Sequence, residues 1–259
     1  MAERRNAAAA TTTAATPVPA KSSSVEDVVT PATATATTAA ASSGSKPTLT
    51  STYLLAYNTV SAFLWAAVFL RVILILPILG AGNLAGGVAN FSKWVQTGAV
   101  LEIVHAAIGI VRSPVLTTAL QVASRLLLVW GVVDAFPAAA GPRSIAYATM
   151  LASWSVTEVI RYSYYAYNLR QASGDVTAVP AWLVWLRYNT FFLLYPTGVS
   201  SELLVTIKSL PAIAEVSSAY SWLLKIVLVI YLPAFYVLFT HMIKQRRRVF
   251  KNLGKRRQV

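Results

Sequence analysis

WLVWLRYNTFFLLYPTGVSSELLV, residues 182–205, is the stretch on which the reading of this chain turns. It is long enough to cross a bilayer, whose hydrocarbon core takes about 20 residues of helix. Yet it carries Tyr195 and Glu202. A carboxylate in hydrocarbon costs roughly 2.5–3.5 kcal/mol on insertion scales, so intramembrane acids face protein or water and mark function. Their spacing is about two helical turns, which puts both side chains on nearly one face. A phenol and a carboxyl so placed point to proton transfer on a lipid-like substrate. Pro196 follows the tyrosine and has no backbone donor, so a kink or local opening is expected at Tyr195. Non-helical backbone at membrane depth is tolerated only beside protein or a cavity. Ser200 and Ser201 add small polar surface beside the acid.

The rest of the chain agrees with a membrane setting. Of its 259 residues 56% are hydrophobic and 12% charged, against about 25% charged in soluble domains. Six apolar segments can be drawn, over 53–79, 94–111, 115–133, 145–168, 182–205 and 221–243. Gly and Pro punctuate the stretches between them. The expected fold is all-α, a polytopic membrane protein built as a six-transmembrane-helix bundle. Residues 1–50 are Ala, Thr, Ser, Pro and Val without periodicity, and read as a disordered low-complexity tail. Arg4 and Arg5 are not followed by an apolar run, so no secretory signal is expected there. The bundle is expected over 51–243 and a basic tail over 244–259.

The formal net charge of +13 is concentrated in that last stretch, KQRRRVFKNLGKRRQV, which holds eight Lys or Arg and no acid. It directly follows an apolar segment, which favours positive-inside anchoring at anionic lipid over nucleic-acid binding. Both termini are then expected in the cytoplasm. The chain has no cysteine, which excludes disulfides, thiolate catalysis and cysteine metal sites. With His105 and His241 as the only imidazoles, no metal site is expected. No glycine-rich nucleotide motif appears, and no cofactor is expected.

Further polar groups fall in or near the apolar segments. Glu102 and His105 are three apart and read as a local pair; Glu158 and Arg161 have the same spacing. The latter precede Tyr162, Tyr164, Tyr165 and Tyr167, a cluster suited either to a wet cavity or to an interfacial aromatic belt. Asp134, Arg71 and Lys225 lie near segment ends and read as structural.

The run WLRYNTFFLLYPTGVSSELL resembles the very-long-chain 3-hydroxyacyl-CoA dehydratases, a family once named for a likeness to protein tyrosine phosphatases. LEIVHAAIGIVRSPVLTTALQVASR, residues 101–125, and SWSVTEVIRYSYYAYNL, residues 153–169, resemble the same family in the same order. The likeness extends over about residues 53–251. It implies a six-span enzyme of the endoplasmic-reticulum membrane that converts (3R)-3-hydroxyacyl-CoA to trans-2-enoyl-CoA in fatty-acid elongation. Its partners would be an elongase, a 3-ketoacyl-CoA reductase and an enoyl-CoA reductase. The family motif Y-P-x-G-x-x-x-E falls on Tyr195, Pro196, Gly198 and Glu202, with Tyr195 and Glu202 catalytic. Phosphatase chemistry would need a cysteine nucleophile, which this chain lacks.

Dehydration removes a proton from C2 and expels hydroxide from C3. The expected division makes Glu202 the base and Tyr195 the donor; the reverse is open. Arg125, Glu158, Arg161, Tyr162 and Asn189 are candidate supporting or substrate-binding residues. Arg112, Arg170 and Arg187 could attract CoA phosphates. The competing reading is a non-catalytic scaffold or a proton-coupled transporter using Glu158 and Glu202. Transporters commonly carry inverted repeats, and no repeat is evident here.

Overall fold

A computed structural model of the chain describes residues 48–176 and 178–256, with side chains described to residue 251. Most of the tail expected to be disordered lies outside the described residues. Leu49 and Thr50, at its edge, already belong to the first helix.

The described residues form an all-helical structure. The elements are α1 (Leu49–Leu79), α2 (Leu84–Thr97), α3 (Val100–Ala107), α4 (Val115–Leu126), α5 (Ile145–Ala172), α6 (Ala181–Asn189), α7 (Phe191–Val216) and α8 (Ser218–Arg256). Beyond α4 the chain continues as a π-helical segment, Leu127–Asp134. Thr48 caps α1 by accepting a hydrogen bond from the Ser51 amide at 3.2 Å. α8 runs on through the basic stretch, so the expected tail continues a helix rather than starting a separate unit.

α5 is the central element: α1 packs on one side of it and α7 on the other. α2 packs against α1 and the π-helical segment, α3 against α4, and α8 against α7. Successive passes of the chain run antiparallel. Tyr53 meets His105, Tyr165 meets Arg187 and Asn189 meets Arg246 at one end. Lys93 meets Asp134, Ser92 meets Tyr147 and Gly131 meets Tyr220 at the other.

Among the described residues, three helices are long and apolar enough to cross a membrane: Leu49–Leu79, Val115–Asp134 and Ser218–Lys251. There are four if α6 and α7, bent by 43°, act as one. The expected 145–168 segment does form a long helix, α5, but misses this standard. It is shielded by its neighbours and buries Ser153, Trp154, Ser155, Glu158 and Tyr162, so lipid does not demand apolar residues of it. The expected 94–111 segment is divided at Gly98–Ala99, between α2 and α3, and ends at Ala107. By contrast, the outer face of α8 exposes Trp222, Leu223, Ile226, Val229, Ile230 and Leu232, a surface suited to lipid.

The bend expected at Tyr195 lies elsewhere. α7 runs without a break through Pro196, and the change of direction comes at Thr190. Pro196 crowds the turn before it. That turn is the first of α7, so the displacement is absorbed where α6 ends.

Candidate active site

Glu202 projects from α7 into the interior and is 9% exposed. Trp154 of α5 donates its indole N–H to Glu202 Oε1 at 2.8 Å. Tyr231 of α8 donates its hydroxyl to Oε2 at 3.1 Å. Among the described residues, no lysine or arginine forms an ion pair with this carboxylate. Neither donor was foreseen from the sequence. The available signal was the presence of an N–H or O–H donor on apolar helix faces, which is too common to be selective.

Tyr195 lies two turns earlier on α7 and is half-buried. Its ring stacks on Phe235, centroids 5.2 Å apart and planes at 8°, and faces Phe239 at 6.2 Å. Tyr231, Phe235 and Phe239 recur every fourth residue along one face of α8. Tyr195 and Glu202 are thus both turned towards α8, as their spacing predicts. The Tyr195 hydroxyl has no hydrogen-bond partner among the described residues. Because α7 is a continuous helix here, the two Cα atoms stay about 10 Å apart.

The Arg125 guanidinium of α4 lies over the Trp154 ring, 4.8 Å from its centroid, and ion-pairs with Glu158. Glu158 Oε2 also accepts from Arg161 Nε at 2.6 Å, as the i,i+3 spacing implies. Arg161 then reaches across to Glu102 of α3 with both terminal nitrogens, at 2.6 and 2.9 Å. The Tyr162 hydroxyl donates to Glu102 as well. Arg125, Glu158, Arg161, Glu102 and Tyr162 therefore form one buried network, and Trp154 joins it to Glu202. Glu102 does not pair with His105; His105 Nε2 lies 2.8 Å from the Tyr53 hydroxyl instead. The bidentate reach of Arg161 outcompetes the local imidazole.

Not every candidate converges. Asn189 is at the end of α6, where its Oδ1 accepts from Arg246 Nε at 2.9 Å, away from Glu202. Gly198 lies where α7 approaches α5, opposite Ser153. Hydroxyl pairs, Ser153 with Thr197 at 3.0 Å and Thr149 with Ser201 at 2.7 Å, join these two helices beside it. Asp134, Arg71 and Lys225, read as structural, each have a partner of their own away from Glu202. Asp134 pairs with Lys93 at 2.6 Å, while Arg71 and Lys225 lie over the rings of Phe91 and Trp222. Arg187 lies over the rings of Tyr164 and Tyr165.

Two openings flank the network. One, a small cavity of about 10 Å³, is lined by Glu202, Tyr231, Ser124 and Thr206 together with apolar residues of the π-helical segment, α7 and α8. The other, of about 70 Å³, is lined by residues that include Tyr57, Glu102, His105, Arg161 and Tyr165. Of the tyrosines that follow Arg161, Tyr165 lines this opening.

An all-helical bundle with three or four helices fit to cross a membrane, a buried hydrogen-bonded carboxylate and a phenol on the same helix face defines the class of protein, and comparison defines the family. Residues 96–252 match the family described as protein tyrosine phosphatase-like protein, PTPLA, and the chain belongs to it. It is 45% identical over 206 residues to a protein of Schizosaccharomyces pombe named probable very-long-chain (3R)-3-hydroxyacyl-CoA dehydratase, covering 79% of this chain and 96% of that one. A very-long-chain (3R)-3-hydroxyacyl-CoA dehydratase of Caenorhabditis elegans is 38% identical, covering 80% of this chain and 98% of that one. The human very-long-chain (3R)-3-hydroxyacyl-CoA dehydratase 2 is 34% identical, over 79% and 83% of the two chains. No solved structure matches the chain.

Proposed function

We propose that this protein dehydrates (3R)-3-hydroxyacyl-CoA to trans-2-enoyl-CoA, the third step of very-long-chain fatty-acid elongation. The observation that carries the reading is Glu202: a buried carboxylate without an ion-pair partner among the described residues, lining a small cavity, on the same helix face as Tyr195. The names of the relatives supply the reaction.

Glu202 takes the proton from C2. The indole of Trp154 can only donate and Tyr231 is placed to donate, so both carboxylate oxygens are held as acceptors in a fixed orientation. The C2–H electrons form the C2–C3 double bond as the C3–O bond breaks. Tyr195 gives its proton to the departing hydroxyl, which leaves as water. The proton on Glu202 then returns to the Tyr195 phenolate by exchange, closing the cycle. Stacking on Phe235 holds the phenol ring while its hydroxyl stays open to the substrate.

Six passes of the membrane are the reading that the antiparallel order favours: α1, α2 with α3, α4 with the π-helical segment, α5, α6 with α7, and α8. Shielding of α5 within the bundle explains its modest hydropathy in that arrangement. Both termini and the basic end of α8 then lie in the cytoplasm, on the endoplasmic-reticulum membrane. The CoA moiety approaches from that side, and the elongase and the two reductases of the cycle are the working partners.

The test is turnover of long-chain 3-hydroxyacyl-CoA by the purified protein in detergent. Tyr195→Phe and Glu202→Gln are each expected to abolish enoyl-CoA formation while leaving the melting profile cooperative. Full activity in either folded variant overturns the assigned role of that residue. A folded wild type that dehydrates no chain length overturns the reaction itself.

A further inference from the structure

In the proposed dehydration one atom of the substrate still lacks a partner. Glu202 meets the C2 proton and Tyr195 the C3 hydroxyl. The thioester oxygen gathers negative charge as the C2 proton leaves, and a donor aimed at it lowers that barrier. By ordinary bond lengths this oxygen is about 2.4 Å from C2. With a hydrogen bond of about 2.8 Å, its donor has to lie within about 5 Å of the carbon that Glu202 deprotonates.

The donors around Glu202 differ in how firmly they are committed. Among the described residues, Ser124, Thr206 and Tyr231 are the hydroxyl groups lining the small cavity at this carboxylate. The Ser124 hydroxyl donates to the Gln121 carbonyl and the Thr206 hydroxyl to the Glu202 carbonyl, both at 2.9 Å. Each has one proton, and each gives it to its own helix. The Trp154 indole N–H is fixed on Oε1 at 2.8 Å by a buried ring that lies beneath Arg125. Tyr231 is held less tightly. Its hydroxyl donates to Oε2 at 3.1 Å, the longer of the two bonds to the carboxylate, and its side chain is only half-buried. The α8 residues beside it in the lining, Leu224, Val227 and Leu228, offer no polar side-chain atom to compete for the proton.

We propose that Tyr231 is a further catalytic residue: on substrate binding its O–H turns from Glu202 Oε2 to the thioester oxygen. The proposal rests on the dehydratase reading. The turn places a donor where charge develops and frees the Oε2 lone pair that receives the C2 proton. Trp154 keeps Glu202 aimed through Oε1. Tyr231 transfers no proton; it hydrogen-bonds to the carbonyl while the C2–H electrons form the C2–C3 double bond and the C3–O bond breaks. The cavity, of about 10 Å³, takes about one water-sized group, which is the size of a carbonyl oxygen. Tyr195 stacks on Phe235, one turn from Tyr231 on α8, so both phenols lie along the seam between α7 and α8.

The test reads the thioester itself. A long-chain trans-2-enoyl-CoA, isotope-labelled at C1, is bound to the full chain in detergent and its carbonyl band is followed by infrared difference spectroscopy. A hydrogen bond to the oxygen moves that band to lower frequency. The shift is expected in the wild type and in Tyr195→Phe, and is expected to be lost in Tyr231→Phe with the ligand still bound. In the same variant kcat should fall about a hundredfold to a thousandfold, with a smaller change in KM. A wild-type shift in Tyr231→Phe overturns the proposal. So does an unshifted band in the wild type, a result that needs no variant to fold. Either outcome leaves the dehydratase reading standing. A folded wild type that dehydrates no chain length overturns that reading, and the role of Tyr231 with it.

Discussion

At the scale of the residue, the site turns on how Glu202 is held. Its carboxylate lies among apolar neighbours, where a free rotor would spend little time aimed at a substrate carbon. Trp154 contributes one strong donor, and the Arg125 guanidinium on the indole face fixes that donor in turn. A hydrogen bond to a charged group is worth about 1.5–3 kcal/mol. Trp154→Phe keeps a ring under Arg125 and removes the N–H, so kcat is expected to fall roughly tenfold to a hundredfold with a smaller change in KM. Steady-state kinetics on the folded variant checks this. A wild-type kcat would mean that Trp154 does not position the base.

At the scale of the element, the contact of α7 with its surroundings is uneven along its length. A Cβ added to Gly198 would meet Ser153 at 3.6 Å, an ordinary contact. Gly198→Ala should therefore fit, and alanine gains about 1 kcal/mol of helix propensity over glycine. A Cβ on Gly141, in the connection before α5, would run into the Val205 carbonyl of α7. Gly141→Ala has to push that helix away, at a cost of about 1–3 kcal/mol. Thermal unfolding of the two variants in one detergent should move the midpoints in opposite directions. A loss of stability in Gly198→Ala would show that α5 and α7 leave no slack at that level.

At the scale of the whole molecule, the charge network is what ties separate passes of the chain together. Arg161 holds Glu158 on its own helix and Glu102 on α3, while Glu158 holds Arg125 on α4. Removing one member leaves a buried charge uncompensated, at about 3–5 kcal/mol. Arg161→Met is expected to destabilise by that amount. Combining it with Glu102→Leu should cost less than the two changes summed, since groups within one network couple by about 0.5–3 kcal/mol. Additive losses in a double-mutant cycle would mean that the pair does not act as a unit.

What the sequence by itself determined follows from local properties. Hydropathy averaged along the chain marked the helices, and helical periodicity put Tyr195 and Glu202 on one face and Glu158 beside Arg161. The three motif runs carried the family. What only the tertiary structure decided depends on residues far apart in the chain. The donors to Glu202 come from 48 residues before it and 29 after it. Glu102 lies 59 residues from Arg161, and that bidentate contact displaces the nearby His105. α5 departs from the apolar pattern because neighbouring helices, not lipid, surround it, and the bend assigned to Pro196 moved to Thr190 because only one helical turn precedes the proline. Local patterning records how one segment meets its solvent. Which buried polar groups face one another is set by packing, and each must find its partner wherever the other helices present it.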